Sequence, residues 1–208
     1  DTILARLEGR LRLARIEGAE LADVLSRRAA LQPSASTKAA MLAEHAAIML
    51  RLGDASAAVT SLLASLRVER DGQSTLKVTE LLQRIAVRED DAGLAALDAI
   101  IEHHREQGAW QPLVESLEIA AQKRGPSEER ARLFDEISEL NERALRVPQL
   151  AFMATCRALR DAPSEERLAR ARSLAQATDS HSDLLEVCED VAEAFSKQPD
   201  GLPIAMRF

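Results

Sequence analysis

The chain has 208 residues, with 46% hydrophobic, 29% charged and a net charge of −7. That balance excludes a disordered or fibrous polymer, and the acidic surplus excludes a general binder of phosphate backbones. Ala and Leu dominate the apolar share, with no Tyr, one Trp and four Phe, so strong helix formers outweigh β-branched and aromatic residues and the expected class is all-α.

Apolar residues recur at helical spacing along the chain. "ILARLEGRLRLARI" sets Leu4, Leu7, Leu11 and Ala14 on one face, and Gly18 ends that run. "ELADVLSRRAAL" follows and stops at Pro33-Ser34. "KAAMLAEHAAIMLRLG" carries Met41, Leu42, His45, Ile48, Met49 and Leu52 up to Gly53-Asp54, and "ASAAVTSLLASLRV" runs to Asp71-Gly72. Further helices are expected over 74–88, 91–107, 110–124, 127–146, 148–161, 163–177 and 182–196. The result is about eleven amphipathic helices with short connections, a pattern that favours antiparallel neighbours. The tail "KQPDGLPIAMRF" (197–208) leaves helical patterning at Pro199 and is expected to cap the last helix pair, so a helical domain over 1–196 precedes it.

Internal repetition decides between a bundle and a stacked array. Pro126–Arg130 and Pro163–Arg167 are both Pro-Ser-Glu-Glu-Arg, 37 residues apart, and Trp110-x-x-Leu113-x-x-x-Leu117 recurs weakly as His181-x-x-Leu184-x-x-x-Cys188. Offsets of 37 and 71 correspond to one and two helix pairs. Matches near 92 span five helices, which makes the helix over 74–88 an extra one interrupting the array. The segment 42–66, with Ala46, Gly53-Asp54, Ala58 and Leu62, resembles a tetratricopeptide-type helix pair. The segment 94–121, with Gly108, Trp110, Leu117 and Ala120, repeats the scheme, as does 133–163 with Ala151, Ala158 and Pro163. His45 and Ser138 stand where that repeat places apolar residues. The resemblance implies an α-solenoid, a right-handed superhelix of antiparallel helix pairs whose surface binds other proteins.

The doubled Glu-Glu is read as a helix start. With Gly125 or Ala162 at the cap, Pro becomes the first helical residue and the acids meet the positive helix end. Adjacent glutamates point about 100° apart on a helix, a poor geometry for two catalytic carboxylates on one atom. Adjacent His103-His104 lacks the i,i+4 spacing of a helical metal pair. Cys156 and Cys188 lie in apolar helical context without a CxxC pair, which suits a reducing, cytoplasmic setting. No phosphate loop or nucleophile motif occurs, so neither catalysis nor a cofactor or metal is expected. The chain begins with Asp and not Met, as an excised piece or mature form does, and no apolar run is long enough to insert in a membrane.

Two charged ends are the candidate partner-binding residues. Asp183, Glu186, Asp190 and Glu193 step by 3, 4 and 3 as one acidic stripe, whereas Arg6, Arg10, Arg12 and Arg15 make the first helix basic. The expected function is a non-catalytic scaffold or adaptor that holds a peptide or helix of another protein, a basic one if the acidic stripe faces the groove. The alternative is a regulatory or sensor domain of a larger signalling or transcription protein. A repeat-built glycosylase would require a basic concave face.

Overall fold

A computed structural model describes residues 2–14, 18–69 and 73–196, the side chains at 73, 74 and 195 excepted. Arg15 and the tail 197–208 fall outside the described residues. The fold is all-α. Eleven helices form among the described residues, with no strand: α1 (Thr2–Leu13), α2 (Ala19–Leu31), α3 (Ala35–Arg51), α4 (Ala55–Val68), α5 (Gln73–Ala86), α6 (Asp91–Gln107), α7 (Trp110–Gln122), α8 (Glu128–Arg143), α9 (Pro148–Asp161), α10 (Glu165–Thr178) and α11 (His181–Ser196).

The chain divides into two compact units, Asp1–His103 and His104–Phe208. In the first, each of α1 to α4 packs on the next helix, and α5 returns to touch α3 as well as α4. In the second, α7 to α11 pack consecutively and α11 also touches α9. Within the units, α3 and α5, and α9 and α11, therefore share a layer. Side-chain pairs give the directions. Ser65 Oγ donates to the Ala39 carbonyl (2.9 Å) while His45 meets Ser61 nearer the turn, so α3 and α4 run antiparallel.

Alanine makes this close stacking possible. Ala46 and Ala58 on α3 and α4, and Ala151 and Ala158 on α9, are fully buried. A methyl group lets helix axes approach, and the larger side chains fill the space alongside. In the second unit those are Phe152, Leu159, Leu168, Leu174, Val187 and Val191.

Four helix pairs end their first helix in the same way. Gly53 (φ 87°), Gly108 (φ 63°), Arg146 (φ 60°) and Asp179 (φ 56°) adopt left-handed backbone between α3 and α4, α6 and α7, α8 and α9, and α10 and α11. The following amide reaches back five residues at three of them, as from Asp54 to the Met49 carbonyl and Ala109 to the His104 carbonyl, both 3.0 Å, and six residues after Arg146, from Val147 to the Asn141 carbonyl (2.8 Å). These bonds satisfy otherwise free carbonyls at the helix end. Glycine supplies the conformation without strain at Gly53 and Gly108.

The two polar residues at expected apolar positions each find a hydroxyl on the paired helix. Ser138 and Thr155 are fully buried, with their oxygens 2.8 Å apart. His45 Nδ1 lies 2.8 Å from Ser61 Oγ, and because the Ser61 hydroxyl donates to the Ala57 carbonyl, the ring nitrogen is the donor. Burial holds His45 below its ordinary 6.5, against the opposing pull of Asp54. A histidine with a depressed folded value takes up a proton on unfolding, so its contribution is complete above its ordinary range and falls as the pH drops through it. Protection factors of α3 and α4 amides, corrected for the intrinsic pH dependence of exchange, are expected to fall from about pH 7 towards pH 5.5, and His45→Gln to flatten that change. An unchanged slope in the variant would assign it to other groups.

The repeated Pro-Ser-Glu-Glu-Arg corrects the expected helix start. The caps are Ser127 and Ser164, whose hydroxyls accept the amides of Arg130 (3.2 Å) and Arg167 (3.1 Å). The prolines precede the caps, and Glu128 and Glu165 are the first helical residues. A serine oxygen can satisfy an orphan amide and neither Gly125 nor Ala162 can, so the cap moves two residues on. The acids still meet the positive helix end.

Candidate interaction surface

The arginines of the two copies tie neighbouring helices together. Arg130 pairs with Asp161 at the end of α9 and lies 6.0 Å from the Phe134 ring. Arg167 donates to both oxygens of Glu128 (3.0 and 2.9 Å), to Asp135 (2.9 Å) and to the Ala162 carbonyl (2.7 Å). The second copy of the motif thus grips the first. Glu128 is held below the ordinary carboxylate range chiefly by Arg167. The cleft here, about 310 Å³, is lined by Glu128, Asp135 and Arg167 of this network together with Glu139, Glu166 and Arg170.

Similar links recur across each layer at nearly constant sequence separation. Arg12 reaches Glu44 (2.7 Å) 32 residues on, and Arg105 reaches Glu136 (2.9 Å) 31 residues on. Arg160 reaches Asp190 (2.8 Å) 30 residues on, and Arg170 reaches back 32 residues to Ser138 (3.1 Å). For α1 with α3, α8 with α10 and α9 with α11, this separation means that alternate helices run parallel, with equivalent turns side by side.

Some of the predicted site residues take part in these rungs. Arg12 is bound to Glu8 (2.8 Å) and Glu44, and Arg28 also meets Glu8. Burial pushes the Glu8 carboxyl up, but the hydrogen bonds from Arg28 and Arg12 outweigh it and hold it low. Arg12 therefore ties α1 to α3, while Arg6 and Arg10 are exposed on α1. The acidic stripe on α11 is also divided. Asp190 is compensated by Arg160, Glu193 lies on exposed surface, and Asp183 and Glu186 line a groove between α9 and α11.

That groove holds about 600 Å³. Leu150, Met153, Arg157 and Arg160 form the exposed stripe of α9, in the same steps of 3, 4 and 3 as the acids of α11. Phe152, Cys156 and Val187 form its apolar base, and Met153 remains 51% exposed. Arg157 lies 3.8 Å from Glu118 on α7 and 5.7 Å from the Phe134 ring centre. Asp183 and Glu186 have no ion pair among the described residues. Burial raises the Cys156 thiol to about 11, which keeps it protonated and unreactive at neutral pH.

Sequence reasoning found the acids and missed the α9 wall. Its signal was available: Leu150 and Met153 share a helical face with two arginines, a poor composition for either a core or a fully solvated stripe.

A second groove of about 380 Å³ in the same unit surrounds half-exposed Trp110, beside Leu113 and Leu140. A wider depression of about 850 Å³ in the first unit overlies the starts of α4 and α6. There Asp54 and Asp90 accept the amides of Ala57 (2.9 Å) and Gly93 (3.0 Å), so their oxygens serve as helix caps. Among the described residues, no group of three or more His, Cys, Asp or Glu is placed to hold a metal, and no helix is long and apolar enough to cross a membrane.

No protein-family model, curated protein or solved structure matches the chain. The surface chemistry alone bears on its role.

Proposed function

We propose that the chain is a non-catalytic protein–protein interaction module, a scaffold or adaptor built from tetratricopeptide-like helix pairs, which holds a peptide or helix of another protein. The observation that carries this reading is the α9–α11 groove, where half-exposed Met153 adjoins the carboxylates of Asp183 and Glu186. An exposed apolar anchor ringed by polar groups is the usual composition of a recognition surface. The left-handed turns closing four helix pairs support the repeat assignment, with α5 as an interrupting helix. On this reading each unit is a short segment of a right-handed solenoid. The net charge of −7 favours protein over nucleic acid as partner, and the free thiols at Cys156 and Cys188 suit the cytoplasm.

Affinity purification with the tagged full chain, followed by titration calorimetry against each recovered protein in pure form, tests this function. Saturable one-to-one binding is expected. If no purified candidate binds at concentrations up to roughly 100 μM, weaker than any useful adaptor, the reading fails.

A further inference from the structure

We infer that the α9–α11 groove takes a segment of a partner protein that sets a lysine or arginine against Asp183 and Glu186 and an apolar side chain against Met153. This rests on the interaction reading above and adds the partner's chemistry to it. The two walls carry opposite charges, but their states differ. Arg160 is bound to Asp190 at 2.8 Å, and Arg157 is held by Glu118 at 3.8 Å and by the face of Phe134. Asp183 and Glu186, exposed on the facing wall, have no such partner among the described residues.

The groove therefore presents two carboxylates without an ion-pair partner among the described residues, Asp183 in the first turn of α11 and Glu186 one turn on, over an apolar base. A concave site concentrates that potential, so an incoming cation gains more than it would on a flat surface. An acidic segment would be repelled by one wall and would find the arginines of the other already engaged. The apolar requirement comes from Met153, which stands half in water at the rim of a base formed by Phe152, Cys156 and Val187. Covering it removes apolar surface from solvent, which favours Leu, Met, Ile or Phe beside the cation. The Trp110 groove lacks this preference, because Arg105 and Glu136 on its border neutralise each other at 2.9 Å.

The test pans a random dodecapeptide display library on the immobilised full chain, then titrates fluorescein-labelled winners by anisotropy. Enriched peptides are expected to pair Lys or Arg with a large apolar residue. The double variant Asp183→Lys, Glu186→Lys should weaken them by roughly tenfold or more, and Met153→Glu should also weaken them. The isosteric Asp183→Asn, Glu186→Gln pair guards against misfolding: it should weaken binding less and flatten its salt dependence, with the thermal melt unchanged. Enrichment of acidic peptides, or binding indifferent to both double variants, would overturn the inference and leave the interaction reading intact. Failure to enrich any peptide would overturn the inference, whereas the interaction reading stands or falls on the titrations of recovered proteins.

Discussion

Leu159→Ala is expected to remove about 3–4 kcal/mol from the stability of the second unit. Leu159 has no exposed surface and belongs to the cluster that joins α9, α10 and α11. Truncation loses the transfer energy of the deleted carbons and leaves a cavity that rigid helix packing closes only in part. Urea unfolding followed by the fluorescence of Trp110, the sole tryptophan, reads this unit directly. Leu150→Ala, at a half-exposed position on the same helix, should shift the midpoint by a small fraction of that amount. Equal effects at the two positions would contradict the packing described for α9.

Arg167→Ala should be nearly as costly, about 2–3 kcal/mol, for a different reason. The side chain is only 10% exposed and serves Glu128, Asp135 and the Ala162 carbonyl together. Without it Asp135 loses this ion pair, Glu128 keeps the longer contact to Arg132 (3.4 Å), and a carbonyl loses this donor. Glu128 is half exposed, so solvent softens the loss relative to a fully buried pair. Arg167→Lys should recover less than half, because a single ammonium cannot span acceptors that the guanidinium fork meets in one plane. Acid should erase the difference. Glu128 has a depressed folded value, so its contribution is present above the ordinary carboxylate range and disappears as the pH falls through the folded one. A difference between wild type and Arg167→Ala that persists at pH 2 would show that the arginine acts through packing and not through charge.

The sequence made the helices plain because their apolar residues step by three and four along nearly every segment, and each expected helix has its counterpart within a few residues. The buried alanines were also legible: Ala46, Ala58, Ala151 and Ala158 sit where two helices must approach closely, and all four are enclosed. The cap position was misread because Gly125-Pro126-Ser127 contains two plausible starts, and the choice depends on a hydroxyl reaching an amide. The site was only half visible. An acidic stripe can be read from one helix, but its neutralisation at Asp190 depends on Arg160 thirty residues away, brought alongside by the intervening α10. No local period carries that information.

The near-constant separation of the rungs has a consequence for how the chain is made. Partners lie 30 to 32 residues apart, and even the clasp from Arg167 to Glu128 spans only 39. Short loops cost little entropy to close, and low contact order is associated with fast folding. Within each unit, a new helix leaving the ribosome finds its partners among the helices just made, so the apolar faces are covered in the order of synthesis and are exposed to aggregation only briefly.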